Sequence, residues 1–143
     1  MTVLPSTDLY LMGRGEGHNS TRGVVRAHEL LHHGVNCSLS TNNVLNPFTP
    51  FGDCSLVRMA NLYANVAHAG ARDFASCLDM VTTRPARLLR REDYGIEVGR
   101  SADLVVLDCS SSEQAVSELA VPLYGFKRGR MSFARKPVEL FRP

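Results

Sequence analysis

The sequence predicts an α/β fold, and three observations predict it. Over the first half of the 143-residue chain, short apolar segments bounded by turn residues alternate with segments of helical period, the order that builds a βαβ unit. After Gly95 the character changes to closely spaced turns and β-branched residues, as at entry into a smaller β layer. An apolar content of 44% with 21% charged residues is ordinary for a folded domain, and the length allows one domain with a modest core.

Taken in order, "TVLP" is a short strand that Pro5 stops. A polar loop follows through "GRGEGHNSTRG", broken by Gly13, Gly15, Gly17 and Gly23. Val24 to His33 reads as a helix, with Val24, Ala27, Leu30 and Leu31 on one face and Gly34 as its stop. "VNCSLS" reads as a strand in which Val35, Cys37 and Leu39 alternate with polar residues. The loop "TNNVLNPFTPFGD" ends at Asp53, the expected cap of the next helix. That helix is the clearest element: Leu56, Met59, Ala60, Tyr63, Val66 and Ala67 recur at helical spacing, and Gly70 is its expected end. A further helix is expected from about Arg72 to Val81, and a short one through "RPARLLR" with Thr83 as cap. Leu104 to Leu107 is a continuous apolar run between Asp103 and Asp108, expected as a strand covered on both faces. "SSEQAVSELA" is a short capped helix, and "PLYGFKRGRMSFARK" a hairpin turning at Arg128-Gly129.

A net charge of +2 with scattered arginines argues against a nucleic-acid or anionic-membrane partner. No apolar run has spanning length, and "MTVLPSTDLYLMGR" lacks the plan of a signal peptide. Cys37, Cys54, Cys77 and Cys109 lie far apart with no CxxC pair. They read as reduced, buried or half-buried thiols of a cytoplasmic protein.

One motif demands a test. His28-Glu29-Leu30-Leu31-His32 is HExxH, which in zinc peptidases sets two histidines on one helical face with a glutamate to activate water. The site needs a third ligand. A metzincin extension would require Gly at position 35 and His at position 38, where the chain has Val35 and Ser38. The first downstream acid is Asp53. The histidines therefore read as solvent-facing residues in the last turns of a helix, where their charge suits the dipole.

Two stretches carry a resemblance: "HGVNCSLSTNNVLNPFTPFGD", followed by a long helix, and "DYGIEVGRSADLVVLD". Together with "DLYLMGR" and "TRGVVRAHELLHHGVN", they resemble the C-terminal part of amidohydrolase-superfamily enzymes. The "ADLVVLD" piece speaks for the superfamily, and the "STNNVLNPFTPFGD" loop for the cytosine-deaminase-like branch. The resemblance implies a (β/α)8 TIM barrel with a small β-sandwich built from both chain ends. Such barrels need about 250 residues. Residues 1–94 would then be the last two βα units, and 95–143 the C-terminal share of the sandwich. HELLH would lie on the outer helical ring, away from catalysis.

The activity implied is hydrolytic deamination of a pyrimidine or related N-heterocycle, assisted by a divalent metal, iron or zinc. Asn42 stands where the family places an aspartate metal ligand; a carboxamide carries no charge and is no useful base near neutral pH, although its carbonyl oxygen can still ligate a hard cation weakly. Asn43 stands where an acid is common, and Phe48 where an aromatic lines the substrate pocket. For the asparagines the alternative is a turn role, and for Phe48 a loop anchor. The chain alone is expected to be inactive and to bind no metal. Its expected partners are another copy or a chain carrying the missing N-terminal barrel portion, since open strand edges and uncovered apolar faces favour association.

Overall fold

A computed structural model describes residues 1–136 and 138–141. Pro137, Arg142 and Pro143, inside the expected 95–143 segment, lie outside the described residues. The fold is α/β. β1 (Thr2–Val3) and β2 (Ser38–Leu39) pair in parallel, with Thr2 opposite Ser38 and Val3 opposite Leu39. Two helices cross between them, α1 (Pro5–Leu11) and α2 (Ala27–Leu31). The helical layer continues with α3 (Leu56–Val66), α4 (Phe74–Asp79) and α5 (Thr83–Leu88). A separate antiparallel sheet, in the order β3-β4-β5, holds β3 (Leu104–Leu107), β4 (Pro122–Lys127) and β5 (Arg130–Ala134), with α6 (Ser112–Ser117) between β3 and β4.

The core forms where β2 meets the helices. Val3, Cys37, Leu39, Ala60, Tyr63, Cys77, Met80 and Val116 belong to one buried cluster, against which Val24, Leu30, Leu31 and Leu78 pack. α3 contributes Met59, Ala60, Tyr63 and Ala64, residues that share one helical face. Ser55 caps α3 by accepting from the Arg58 N–H. Asp53, expected as that cap, instead accepts from the Ser55 N–H at 3.0 Å and pairs with Arg58 at 2.8 Å. The carboxyl of Asp53 is held below its usual range mainly by the Arg58 hydrogen bond. α3 ends before the expected Gly70. His68 takes the left-handed conformation at φ 54°, and Ala69 N–H closes on Ala64 O, a terminus normally given to glycine. α5 starts one residue earlier than expected, with Thr82 as the flanking residue.

Several expectations are corrected. The segment after Pro5 is helical, because Pro5 occupies the first turn, where its missing N–H costs nothing. α2 is shorter than Val24 to His33. Cys37, Ser38 and Leu39 are buried in succession while Val35 is exposed, so β2 is covered on both faces and does not alternate. β3 is the reverse case: Val105 and Val106 are 59% and 44% exposed, so the run expected to be covered on both faces lies open. Cys54 is exposed, not buried or half-buried; all four cysteines are free.

The hairpin turns where expected. Arg128 and Gly129 have φ of 49° and 74°, the two positive values of a type I′ turn, whose twist matches the strands it joins. On β4 the Phe133 ring lies so close over Gly125 that any Cβ there would run into it. Gly125 is thus required for the close approach. Among the described residues no helix is long and apolar enough to cross a membrane.

Candidate functional site

Because β1 and β2 run parallel in register, their C-terminal ends reach one edge. From β1 the chain turns at Leu4 into α1, and from β2 it enters the loop 40–54. These two exits are joined by neutral side chains. Asn46 Nδ2 donates to Asn43 Oδ1 at 3.0 Å, and Asn43 Nδ2 donates to Thr7 Oγ1 at 3.5 Å. Thr7 and Thr49 hydroxyls lie 3.1 Å apart, and the Thr49 hydroxyl donates to Phe48 O at 2.8 Å. With the Thr49 proton so committed, Thr7 is the donor between them. The circuit closes through Asn46 Oδ1, which accepts from the Phe48 and Thr49 N–H groups at 3.0 and 3.1 Å.

Thr7 and Thr49 are both buried, where an unmade hydrogen bond costs more than at the surface. The circuit therefore fixes the loop to α1. Removing the Asn46 side chain takes away a donor and two acceptances at once. We expect Asn46→Ala to cost about 1–3 kcal/mol and to speed amide hydrogen exchange at Phe48 and Thr49. Unchanged exchange at those two amides would contradict the bracing role.

The residues singled out from sequence differ in their commitments. Asn43 is half-buried and both ends of its carboxamide are engaged, while its backbone carbonyl accepts from the Thr41 hydroxyl at 3.1 Å. Asn42 is exposed, and its carboxamide takes no part in the hydrogen bonds of this loop among the described residues. Phe48 is 57% exposed while its backbone is held by Asn46. Further along the loop, Phe51 meets Tyr10 edge-on at 5.7 Å and the Arg14 guanidinium lies 4.9 Å from the Tyr10 ring centre. A cavity of about 310 Å³ opens there, lined by Leu9, Tyr10, Arg22, Phe51 and Met59 among others.

Sequence reasoning missed Thr7, Asn46 and Thr49. The Asn46-Pro47 pair was a readable signal, since Asn before Pro starts a side-chain-closed turn. Nothing local pointed from Thr7 to Thr49, 42 residues apart.

The HExxH histidines have separate environments. His32 is exposed, but His28 is 4% exposed, correcting the solvent-facing reading. The Tyr63 hydroxyl accepts from the His28 backbone N–H at 2.9 Å and lies 2.8 Å from its Nδ1. The phenol oxygen thus serves both the amide and the ring nitrogen of His28 at once. α2 has no side-chain cap of its own, so Tyr63 caps it from α3. His28 is a packing and capping partner. Among the described residues no three His, Cys, Asp or Glu side chains come together as a metal-holding group.

A second, open groove of about 920 Å³ runs between the start of α3, the end of α4 and the three-stranded sheet. Leu56, Leu78, Val81, Ile96, Leu104 and Phe133 are among its walls.

Comparison with known proteins gives a consistent result. Residues 1–131 match the sequence profile described as "Amidohydrolase family". The N-isopropylammelide isopropyl amidohydrolase of Pseudomonas sp. (strain ADP) is 34% identical over 115 residues, 79% of this chain and 28% of that protein. The pterin deaminase of Rhizobium rhizogenes is 34% identical over 108 residues, 74% of this chain and 24% of that protein. Among solved structures, the 5-methylcytosine deaminase of Klebsiella pneumoniae liganded with phosphonocytosine superimposes with a TM-score of 0.89 at 30% identity, covering 99% of this chain and 35% of that one. The chain spans between 24% and 35% of the length of these proteins.

Proposed function

The chain belongs to the amidohydrolase family, and from that premise we propose that it is the C-terminal portion of a cytosine-deaminase-like hydrolase. The reaction is hydrolysis of a C–N bond on a pyrimidine or related N-heterocycle. The named activities of its relatives concern cytosine, pterin and ammelide, all nitrogen heterocycles, which supports that substrate class. In this reading residues 1–94 supply the last two βα units of a TIM barrel, and 95–143 supply part of a β-sandwich.

The observation that carries the reading is the braced loop at the shared C-terminal edge of two parallel strands. That edge is where barrel enzymes assemble their sites. Asn42 then lies at the pocket mouth and its carboxamide orients the ring. Asn43 holds the loop, and Phe48 offers an aromatic face.

The family resemblance implies a divalent metal, iron or zinc, and the residues of this chain do not fit one. Asn42 offers an uncharged oxygen and the Asn43 oxygen is already accepting from Asn46. Two such donors fall short of the three or more protein ligands that hold a catalytic ion. This chain's share is binding and orientation.

The expected result with the purified chain alone is no ammonia from cytosine, 5-methylcytosine or pterin. Mixed with the N-terminal portion of a cytosine-deaminase-like barrel, it should form a 1:1 complex that binds the heterocycle. Turnover by the chain alone, or failure of that complex to bind any of these rings, overturns the reading. A second reading, a non-catalytic module that completes another polypeptide, is favoured by the exposed Val105, Val106, Met131 and Phe133 of the sheet. It predicts the 1:1 complex without heterocycle binding.

A further inference from the structure

We propose that the cavity of about 310 Å³ between α1 and α3 is a binding site for a small organic carboxylate, in which Arg22 holds the anionic group and an apolar pocket takes the body of the molecule. None of Asn42, Asn43 and Phe48 lines this cavity. The site therefore stands apart from the one in the deaminase reading and does not rest on it.

Three pieces of chain build the pocket. α1 brings Ser6, Leu9 and Tyr10, which lie within about 100° of one another around the helix. The end of the loop 40–54 brings Phe51 and Gly52, and the first two turns of α3 bring Met59 and Leu62. The Phe51 and Tyr10 rings, edge-on at 5.7 Å, join the loop to α1 at this wall. A mostly apolar cavity with a few polar groups is the usual form of a small-molecule site, and this volume is at the lower end of that range. It suits one compact body and is too small for a dinucleotide or a peptide.

The charged groups decide the sign of the guest. No aspartate or glutamate lines the cavity, whereas Arg22 and Arg58 both do. Arg58 is already matched, since its Nε and Nη2 donate to Asp53 at 3.0 and 2.8 Å. Arg22 is exposed and forms no ion pair among the described residues. The acids nearest in sequence do not offset it. Glu16 accepts from the Thr21 N–H at 2.8 Å. Asp8 lies on α1, about 150° round from the middle of the cavity face. Arg14 adds a second positive group, 4.9 Å from the centre of the Tyr10 ring. A guanidinium fork fits a carboxylate through two parallel hydrogen bonds, and the Ser6 hydroxyl on the cavity wall is a further donor. A neutral guest would leave Arg22 unmatched, and a dianion would find only one unmatched arginine on the lining. The complement is an organic monoanion.

The test is a titration of the 143-residue chain with sodium benzoate at constant ionic strength, followed through its amide NMR spectrum. The expected result is saturable shifts at Tyr10, Phe51, Gly52 and Leu62 with a Kd of about 10 mM or tighter. Benzamide, which has the same shape and no charge, should bind at least about fivefold more weakly. Arg22→Gln should weaken benzoate by at least about the same factor. Arg72→Gln, which removes an exposed arginine outside the cavity, should leave the affinity unchanged. No saturation by about 50 mM benzoate overturns the proposal. So does equal binding of benzoate and benzamide, or of benzoate to the native chain and to a folded Arg22→Gln variant. Cytosine that moves these amides as strongly as benzoate also overturns it, because the cavity would then take neutral rings. Neither ammonia release nor a barrel partner enters the titration, so a failure of the deaminase reading would leave these results as they are.

Discussion

Tyr63→Phe should lower the stability of the chain by about 2–4 kcal/mol, although it removes a single oxygen. Tyr63 has no exposed surface, and its hydroxyl serves two buried groups of another helix, the His28 N–H and Nδ1. Phenylalanine keeps the ring and its packing but strands both groups. A buried donor or acceptor left without a partner costs about 1–3 kcal/mol, more than a typical hydrogen bond contributes. The His28 N–H is also one of the first amides of α2, which carries no side-chain cap of its own. The variant thus loosens the α2 start as well. Urea denaturation is the measurement: the midpoint should fall at unchanged slope. A loss below about 0.5 kcal/mol would mean that the phenol is not the cap of α2.

The second large effect is alkaline. Burial pushes the Tyr63 phenol from 10.0 up to about 12, and the Cys77 thiol from 9.0 up to about 12. Both groups keep their protons in the folded chain at pH values where the unfolded chain has lost them. Stability is then complete below pH 9 and falls as pH rises: first through Cys77 alone, then through both groups from about pH 10 to 12. Each group contributes a slope of about 1.4 kcal/mol per pH unit when fully engaged. The combined loss approaches the lower end of a small domain's stability, so the urea midpoint should fall steeply between pH 10 and 12. Urea midpoints at pH 8, 9, 10 and 11 check this, and Cys77→Ala should flatten the fall between pH 9 and 10. A midpoint that stays level to pH 11 would refute it.

Much of the fold was readable because local rules agreed with global ones. α3 announced itself through helical spacing, and the hairpin through Arg128-Gly129 between two strand-like runs. What resisted reading depended on distant partners. HELLH shows two histidines at i and i+4, but not that Tyr63, 35 residues on, buries one of them. Pro5 is both a strand stop and a helix start, and only the second role predicts α1. Leu104 to Leu107 has the composition of a covered strand; the composition is there but the cover is not among the described residues. At the site, Asn42, Asn43 and Phe48 were found through resemblance and stay proposals. The circuit that braces them was legible only in its Asn46-Pro47 step.

Ser38 and Ser40 send their N–H groups to β1, at Met1 O and Val3 O, so the Leu39 N–H between them faces the other way. It is met at 2.8 Å by the carbonyl of Met80, the residue that ends α4. One peptide group from a helix terminus thus occupies the berth a third strand would use. A newcomer approaching that flank must first pry the end of α4 loose, so growth on the β2 side begins with a local opening. The β2 flank is latched from within, and the latch is a main-chain oxygen that no side-chain substitution at Met80 can delete.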